Sequence, residues 1–484
     1  MPTKKLRIHF IGIGGIGVSA LAKYYLEKGY AVSGSDLASS EITDALKKLG
    51  AKIFIGPHWT RNVLGMIDLV VYSPAVPEDN PELKEAKKLG IKCLSYPQAL
   101  GELTKKYFTI AVSGTHGKST TAAMIGLLLI KAGFDPTVIV GTKLREFGDS
   151  NCRVGKSPEG PRPQLGGGAC GARKYLVIEA DEWQASFLNY WPKIIVLTNI
   201  EREHLDYYKN LNNILKTYKE YISHFPKDGV LIANRDNENI TKIIKQKSVN
   251  TTFSAIAKNI VYFFSKQSEA REVKKLLKIP GEHNVTNALA ALSVARALKI
   301  PDKISFKALS EYKGSWRRFE IKKVKLANQD EKCSRPIEVV SDYAHHPTEI
   351  RVTLKAAREK YPKKKIWCIF QPHQYQRTFY LFNDFVKVFR EAPIDKLILT
   401  DIYDVAGREE KQIKKKINSE KLTQAIKNSK SIVLRSTVLS AQNVIYLSGF
   451  KKIKDYLKRN LKGGEVVIIM GAGDIYKLAD YLST

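Results

Sequence analysis

One nine-residue stretch carries the residue types that bind nucleotide phosphates. It reads Ser113-Gly114-Thr115-His116-Gly117-Lys118-Ser119-Thr120-Thr121, between a strand-like apolar run at 107–112 and a helix-like run at 122–130. Glycines let a backbone approach phosphates, and the N–H groups at a helix start point at them. Lys118 is predicted to reach the β- and γ-phosphates, and the Ser119 hydroxyl is predicted to bind Mg²⁺. The other predicted phosphate-loop residues are Gly114, Thr115, His116, Gly117 and Thr120.

This loop is shorter than the usual G-x-x-x-x-G-K-[ST] pattern, because Val112 stands at the first glycine position. The alternative interpretation is a chance glycine-rich turn. The flanking strand and helix favour the nucleotide site, since they are the context in which such a loop works.

A second glycine-rich turn lies near the N-terminus. Gly12-Ile13-Gly14-Gly15-Ile16-Gly17 follows a strand-like run and precedes a helix-like run at 18–28, and a second strand ends at Asp36. This arrangement is typical of a dinucleotide-binding βαβ unit. The alternative is a Rossmann-like domain whose loop holds some other phosphate.

Acidic and imidazole side chains follow two later strand-like runs. Glu179-Ala180-Asp181-Glu182 ends the first run, and the segment 199–206, which contains His204, ends the second. Parallel strands deliver site residues from their carboxyl ends, and Mg²⁺ prefers oxygen ligands. Glu179 and His204 are therefore candidate metal ligands; the alternatives are a helix-capping acid and a surface histidine.

Length and charge limit the function classes. A chain of 484 residues is too long for one core and indicates about three domains. The net charge of +31 raises the possibility of nucleic-acid binding. The lysines are spread over the whole chain, however, and no helix-turn-helix, zinc-finger or RNA-recognition signature accompanies them. We therefore expect no nucleic-acid partner and a field that favours small anionic substrates.

Cysteine usage and hydropathy indicate a soluble cytoplasmic protein without membrane insertion. The five cysteines form no C-x-x-C pair, which fits a reducing compartment. Cys152 and Cys170 share one loop-like region, but two free thiols are the expectation. No run of about 18 apolar residues is present.

Strand-like and helix-like runs alternate throughout the chain, which predicts an α/β fold with three domains at 1–106, 107–316 and 317–484. In the last segment strands are predicted at 338–341, 366–370, 396–400 and 465–470.

Taken together, the motifs resemble those of the Mur ligases, which form the amide bonds of peptidoglycan precursors. The shared motifs are the loop at 114–121, the acidic segments at 179–182 and 198–206, and Glu282-His283-Asn284-x-x-Asn287-Ala288. Further segments at 12–17, 73–77, 342–349 and 370–378 are similar to the branch of the family that joins L-alanine to UDP-N-acetylmuramate. The resemblance spans all three predicted domains.

The resemblance implies a role for each domain. A Rossmann-like N-terminal domain holds UDP instead of NAD, a central P-loop ATPase domain binds ATP and Mg²⁺, and a Rossmann-like C-terminal domain brings the amino acid and closes over the site. ATP phosphorylates the lactyl carboxylate of UDP-N-acetylmuramate, and the amine of L-alanine attacks the acyl phosphate. The implied partners are UDP-N-acetylmuramate, L-alanine and ATP, and the implied assembly is a monomer or a homodimer.

The resemblance also implies residue roles. The residues that it assigns to catalysis are Lys118, Glu179, His204, His345, His373 and Arg377, with Mg²⁺ on Ser119, Glu179 and His204. The residues that it assigns to the nucleotide are His283, Asn284, Arg317 or Arg318, and Asp342, in addition to the phosphate loop. The residues that it assigns to the UDP substrate are Gly12, Gly14, Gly15, Gly17, Asp36 and Ser73. Tyr343 joins His345, His373 and Arg377 around the incoming amino acid.

Three departures from the family pattern stand out. Gln374 follows the histidine of the Gln-Pro-His motif, where relatives usually carry arginine, so one guanidinium near the amino-acid carboxylate is missing. Arg408 is a candidate substitute. Trp183 follows the 179–182 motif in place of serine or tyrosine, and the loop at 148–173 is longer and more basic than usual.

Three rival functions remain open at this point. A muropeptide-recycling ligase, which adds a preformed tripeptide, shares the first two segments but usually lacks the pattern at 371–378. A nicotinamide-dependent oxidoreductase would leave the Lys118 loop unexplained. A non-catalytic nucleotide-binding protein is disfavoured by the intact Lys118, Ser119, Glu179 and His204.

Overall fold

The computed structural model describes residues 6–156, 174–224, 226–245, 259–324, 336–405, 410–429 and 439–483. The chain divides into two compact units. The first comprises 1–202, 210–276 and 286–312, and the second comprises 203–209, 277–285 and 313–484. Cys170, Cys333, Arg408 and most of the 148–173 loop lie outside the described residues.

The first unit begins with a five-stranded sheet in the order β3-β2-β1-β4-β5, in which all pairs are parallel. Its strands are β1 (Arg7–Ile11), β2 (Ala31–Asp36), β3 (Lys52–Ile55), β4 (Leu69–Tyr72) and β5 (Lys92–Ser95). Its helices are α1 (Ile16–Glu27), α2 (Glu41–Lys48), α3 (Pro81–Lys88) and α4 (Tyr96–Thr104). The order reverses direction beside β1, and ligands of such sheets bind at that switch point. The glycine-rich turn after β1 lies there.

The second sheet of this unit has seven strands in the order β12-β11-β10-β6-β9-β7-β8. Its strands are β6 (Phe108–Ser113), β7 (Thr137–Leu144), β8 (Ser150–Arg153), β9 (Tyr175–Ala180), β10 (Ile194–Leu197), β11 (Val230–Asn234) and β12 (Ile260–Phe263). Only β8 runs antiparallel, paired with β7. β6, β9 and β10 are apolar runs because parallel strands are buried on both faces.

Helices surround this sheet and connect it to the rest of the chain. They are α5 (Lys118–Lys131), α7 (Leu211–Ser223), α8 (Glu238–Lys245), α9 (Ala270–Leu276), α11 (Asp302–Glu311) and α10 (Glu282–Ala297), whose first residues belong to the second unit; α6 (Leu205–Tyr208) belongs to the second unit.

The second unit is built on a six-stranded sheet in the order β13-β14-β18-β15-β16-β17. Its strands are β13 (Glu320–Val324), β14 (Ile337–Asp342), β15 (Ile366–Phe370), β16 (Lys396–Leu399), β17 (Val444–Tyr446) and β18 (Val466–Met470). Its helices beyond residue 313 are α12 (Pro347–Lys360), α13 (Tyr375–Tyr380), α14 (Phe382–Arg390), α15 (Lys411–Lys416), α16 (Ser419–Asn428), α17 (Phe450–Asn460) and α18 (Tyr476–Ser483). Apolar clusters cover both faces of this sheet.

The three sheets confirm the predicted three-domain α/β fold, and the predicted long strands are present within two residues of their expected ends. Cys93, Cys152 and Cys368 are free thiols. No helix in the described ranges combines the length and apolarity needed to cross a bilayer.

Candidate active site

The predicted phosphate loop joins β6 to α5 and needs glycine at two positions. Gly114 has φ +137°, and a Cβ there would lie 2.1 Å from Thr198 Oγ1. Gly117 has φ +83°, and a Cβ there would lie 2.4 Å from the side-chain oxygen of Asn287. Both conformations disfavour residues with side chains, so the glycines are required by the backbone itself. Gly117 caps α5, whose first turn contains the buried Thr120.

The residues after β10 hold this loop from the side. Asn199 accepts a hydrogen bond from the His116 N–H (2.8 Å) and donates one to the His116 carbonyl (3.0 Å). The Thr198 hydroxyl also donates to the His116 carbonyl (2.7 Å), while the Thr115 N–H donates to the Asn199 carbonyl (3.0 Å). The His116 ring lies 3.6 Å from the Glu201 carboxylate. The loop is therefore preorganised by its own protein contacts.

Lys118 lies at the centre of the loop with its ammonium enclosed by acceptors. It donates to the Gly114 carbonyl (2.7 Å) and to Glu182 Oε2 (2.8 Å), and Asp181 lies 3.9 Å away. Burial alone would lower the pKa of Lys118, but Glu182 and then Asp181 raise it above its usual value. Lys118 is therefore a permanent cation held over the start of α5.

The first predicted metal-binding group also assembles here. The Ser119 hydroxyl donates to Glu179 Oε2 (3.0 Å), and the Gly141 N–H of β7 donates to Glu179 Oε1 (2.5 Å). A Cβ on Gly141 would lie 3.2 Å from the carboxylate. The carboxylate and the hydroxyl form a pair of hard oxygen donors beside the phosphate loop, which suits Mg²⁺.

The N-terminal glycine-rich turn is fixed by the end of β2. Gly12 has φ +77°, and its N–H donates to the Ser35 carbonyl (2.9 Å). The Gly14 N–H donates to Asp36 Oδ2 (2.8 Å), so Asp36, which was predicted to bind the UDP substrate, holds the turn in place. Ser73, after β4, lies against Gly12, where a Cβ would meet its side chain at 3.1 Å.

Tyr96, the first residue of α4, packs against this turn. A Cβ on Gly17 would lie 2.8 Å from its ring, so only glycine fits at that position. Gly15 is the N-cap of α1. Burial, together with the negative charges of Glu179 and Asp181, raises the pKa of Tyr96, which keeps its hydroxyl protonated. The tyrosine thus lies between the turn and the carboxylates of the second sheet.

The β7–β8 hairpin connects the two sheets of the first unit. Asn151 Nδ2 donates to the Ile16 carbonyl at the start of α1 (2.6 Å), and Lys143 pairs with Glu41 of α2 (3.0 Å). The same hairpin contributes Gly141 to Glu179. One hairpin therefore contacts both the glycine-rich turn and the candidate metal ligand.

In the second unit, Arg317 and Asp342 are engaged by their own neighbours. Arg317 is 4% exposed and donates to the Gly473 carbonyl (3.0 Å) and to the Gly471 carbonyl. Its guanidinium lies 4.8 Å from the Tyr343 ring centre. Asp342 accepts from the backbone N–H groups of Phe319 and Ala344, both at 2.8 Å. Burial raises the pKa of Asp342. Through these contacts Arg317 orders the turn after β18, and Asp342 orders the backbone at Phe319 and Ala344.

Arg318 is the more accessible of the two arginines, with 29% of its side chain exposed. It lies near His283, whose pKa is lowered to about 4 by burial and by the positive charge of Arg318. The ring of His283 is held against Gly281, where a Cβ would lie 2.5 Å away. Asn284 donates its side-chain amide to the Pro280 carbonyl (2.6 Å). His283 is thus a neutral, half-buried imidazole, and its Nδ1 has no hydrogen-bond partner among the described residues.

The predicted amino-acid residues form one cluster of the second unit. The ring of His345 lies 5.3 Å from that of Tyr343 and 5.8 Å from that of His373. Burial lowers the pKa of His345 to about 3 although Glu349 opposes the shift. Arg377 lies beside His373, with 3.1 Å between Nη1 and Nδ1, and binds a carboxylate that was not predicted, Glu203.

Three site residues, His204, Gln374 and Arg317 (φ +56°), have positive φ angles that are uncommon outside glycine. His204, with φ +53°, precedes α6 and belongs to the second unit. Gln374, with φ +72°, precedes α13, and its N–H donates to the Tyr403 carbonyl (3.0 Å). Backbone strain of this kind concentrates at functional sites.

Comparison with known proteins decides the family. Family models match most of the chain: the Mur ligase catalytic domain at residues 7–108, the Mur ligase middle domain at 112–295 and the Mur ligase glutamate ligase domain at 317–473. The chain belongs to the Mur ligase family. It is thus an ATP-dependent ligase of peptidoglycan synthesis.

Individual relatives align with nearly the whole length of this Mur ligase. UDP-N-acetylmuramate–L-alanine ligases from Acetivibrio thermocellus and Clostridium tetani are 40% and 41% identical to it, over 99% and 98% of its chain and 96% and 97% of theirs. The crystal structure of UDP-N-acetylmuramate–alanine ligase from Thermotoga maritima matches with a TM-score of 0.73 at 26% identity, covering 99% of this chain and 98% of that one. A murein peptide ligase from Psychrobacter arcticus, at 22% identity, shares the fold with a TM-score of 0.65 over the same shares.

Several residues that shape the ligase's site were not predicted from the sequence. Glu182 lies within a recognised motif, yet only the folded chain shows that it is the partner of Lys118. Asn199 and Gly141 act through side-chain or backbone bonds to residues 83 and 38 positions away. The strand-end segment around Asn199 gives no such signal in a single sequence.

Proposed function

We propose that this chain joins L-alanine to the lactyl carboxylate of UDP-N-acetylmuramate, coupled to cleavage of ATP to ADP and phosphate. The observation that carries the proposal is full-length identity of about 40% to L-alanine ligases. The preorganised Lys118 loop supports it, because that loop supplies the charge that phosphoryl transfer needs. We expect the reaction in the cytoplasm, where ATP and nucleotide sugars are available.

The first step transfers the γ-phosphoryl group. A lactyl carboxylate oxygen attacks phosphorus and the bond to ADP breaks, so negative charge builds on the transferred oxygens. Lys118 and the N–H groups at the start of α5 neutralise this charge, and their fixed positions mean that little reorganisation is needed. Glu182 keeps Lys118 charged and aimed along the loop.

The donor set beside the loop fits Mg²⁺. Ser119 and Glu179 offer hydroxyl and carboxylate oxygens 3.0 Å apart, and His204 is the third ligand that the family resemblance implies. When bound, Mg²⁺ supplies charge neutralisation at the β- and γ-phosphates. The Gly141 N–H orients the Glu179 carboxylate from the side of β7.

The second step forms the amide. The neutral amine of L-alanine attacks the acyl carbon, the tetrahedral intermediate expels phosphate as the carbonyl re-forms, and the nitrogen releases one proton to solvent. We assign the amino-acid site to Tyr343, His345, His373 and Arg377 of the second unit. His345 is neutral at pH 7 because its pKa is lowered, so it serves as a hydrogen-bonding group without adding charge.

Phosphate release with a panel of acceptors tests the proposal. With UDP-N-acetylmuramate and ATP, release should depend on L-alanine and be weaker with glycine or L-serine. Release only with a preformed tripeptide would assign the chain to muropeptide recycling. No release with any acceptor, from protein that binds ATP, would refute ligase activity on this substrate.

A further inference from the structure

A fully buried carboxylate lies beneath the N-terminal sheet and takes no part in the steps above. Glu82, in the first turn of α3, is 0% exposed. The Ser35 hydroxyl donates to its Oε2 (2.5 Å), and Asn62 Nδ2 donates to its Oε1 (2.6 Å). His9 Nε2 lies 3.1 Å from Oε2, and His58 Nδ1 lies 3.4 Å from Oε1. One carboxylate thus gathers groups from β1, β2 and the segment after β3.

The chemistry of this cluster fixes its protons. Because a carboxylate only accepts, His9 carries a proton on Nε2, and its Nδ1 faces the Ser33 hydroxyl at 2.9 Å. Ser35 donates to Glu82, so its oxygen can only accept from His58 Nδ1 at 3.1 Å, and the one proton on that nitrogen is shared between the Ser35 oxygen and Glu82 Oε1 at 3.4 Å. Burial alone would raise the pKa of Glu82, but hydrogen bonds from His58, His9, Ser35 and Asn62 hold it well below its usual range. Glu82 is therefore ionised, with four donors directed at it.

The cluster leads directly to the glycine-rich turn. Ser35, which Glu82 holds by its hydroxyl, accepts at its carbonyl from the N–H groups of Gly12 (2.9 Å) and Ile13 (3.0 Å). The next residue, Asp36, accepts from the Gly14 N–H. The end of β2 therefore sets the backbone of the turn through three hydrogen bonds, and Glu82 sets the end of β2.

We propose that Glu82 is a positioning residue for the nucleotide-sugar site: by fixing Ser35, it holds the Gly12–Gly17 turn in the conformation that receives the diphosphate of the UDP-linked substrate. The inference rests on the proposed function, because it takes a uridine diphosphate as the ligand of that turn. Glu82 acts through Ser35 and does not touch the ligand.

A carboxylate suits this task better than an apolar side chain. An apolar residue would fill the space but leave Ser35, Asn62 and the two histidines without an acceptor, and buried unsatisfied donors are costly. Four donors on one anion define a single arrangement of β1, β2 and α3. That arrangement is what a turn with positive φ at Gly12 needs in order to keep its shape before the ligand binds.

Direct binding measurements on Glu82→Gln test the inference. The amide is isosteric but brings its own N–H₂ group, so at least one of the four donors loses its acceptor. Glu85→Gln is the matched control, since it removes the same charge from the same helix at a partly exposed position. By calorimetry, the Kd for UDP and the Kd for UDP-N-acetylmuramate should each rise about 10-fold in Glu82→Gln, while its Kd for ATP stays within about twofold of the wild-type value. In Glu85→Gln, the Kd for UDP and the Kd for UDP-N-acetylmuramate should also stay within about twofold of the wild-type values.

The outcomes separate the inference from the proposed function. Wild-type protein that binds neither UDP nor UDP-N-acetylmuramate would overturn both. If the wild type binds UDP and Glu82→Gln binds it with equal affinity but unfolds at a lower temperature, the cluster is structural. That result would overturn the inference alone. If Glu82→Gln fails to fold, Ser35→Ala replaces it, because this change removes the link to the turn and leaves the carboxylate with three donors. Unchanged UDP binding in Ser35→Ala would then overturn the inference.

Discussion

Arg377 donates two hydrogen bonds to a single oxygen of Glu203, from Nε at 2.9 Å and from Nη2 at 2.8 Å. Both residues are 8% exposed. Burial alone would raise the pKa of Glu203, but Arg377 lowers it well below its usual value, and His204 and His346 add to this effect. The guanidinium assigned to the amino-acid carboxylate is thus already paired within the second unit.

Breaking this pair from one side should be costly. Arg377→Met leaves the Glu203 carboxylate buried without its main partner, and such changes typically cost about 3–5 kcal/mol. The double variant Glu203→Gln/Arg377→Met should recover much of that loss. Urea unfolding of the two single variants and the double variant forms the cycle that measures the coupling. A coupling energy near zero would mean that the pair does not stabilise the second unit.

Lys118 should be indispensable for phosphoryl transfer. Lys118→Ala removes the cation at the start of α5 and leaves Glu182 without its partner, so turnover should fall by about 10³-fold or more. UDP binding to the glycine-rich turn should be unchanged. Lys105→Ala, at an exposed lysine of the same unit, is the control. Retained turnover in Lys118→Ala would remove the phosphate loop from the mechanism.

Glu179 should determine the Mg²⁺ requirement. Glu179→Gln keeps the shape but replaces an anionic donor by a neutral one, so the Mg²⁺ concentration for half-maximal activity should rise about 10-fold or more. Glu102→Gln, at an exposed carboxylate, should leave that concentration unchanged. An identical Mg²⁺ titration for Glu179→Gln and the wild type would assign Glu179 to structure alone.

What the sequence could predict depended on how local the signal was. The loop at 114–121 is contiguous, and its glycines adopt the positive φ angles that the turn requires, so the pattern alone predicted a strand, a turn and a helix there. Ser119 was predicted as a Mg²⁺ ligand from the loop pattern and Glu179 from its position at the end of a strand, and the structure places their side-chain oxygens 3.0 Å apart.

The rest depended on contacts between distant positions. The donors of Glu82 come from residues 20 to 73 positions away, and no spacing rule relates them. The short strands β3, β5 and β17 also escaped prediction, because three or four residues carry too little periodicity to stand out. The family resemblance placed Arg317 near the nucleotide. Only the folded chain shows that its guanidinium donates hydrogen bonds to the Gly471 and Gly473 carbonyls.

Acid should destabilise the second unit partly through His283. Its pKa is about 4 in the folded chain and about 6.5 when unfolded, so the folded state binds fewer protons between these values. The stabilisation is therefore complete above about pH 6.5 and is lost as the pH falls toward 4, with a slope of up to about 1.4 kcal/mol per pH unit for one proton.

His283→Phe removes this titration while keeping a planar ring against Gly281. Its unfolding free energy should fall less steeply than that of the wild type between pH 6.5 and 4. Urea unfolding at four pH values in this window makes the comparison, with His224→Phe as a control at a partly exposed histidine of the first unit. Parallel curves for the wild type and His283→Phe would show that His283 does not titrate between the folded and unfolded states.

Gln374 should limit the affinity for the amino acid. The family resemblance implies arginine at this position, and a guanidinium binds a carboxylate through charge-assisted bonds that a neutral amide cannot match. The N–H of Gln374 is fixed to the Tyr403 carbonyl, so a replacement side chain should leave from the same backbone position. Gln374→Arg should then lower the KM for L-alanine about 5- to 150-fold, equivalent to roughly 1–3 kcal/mol, without changing the KM for ATP. Gln424→Arg, on the exposed face of α16, controls for added charge.

Arg408, which lies outside the described residues, is the candidate compensating cation, and Arg408→Ala should raise the KM for L-alanine if it fills that role. A wild type that already binds L-alanine tightly, together with no effect of either Gln374→Arg or Arg408→Ala, would mean that the carboxylate is held elsewhere and that the proposed amino-acid site is wrong.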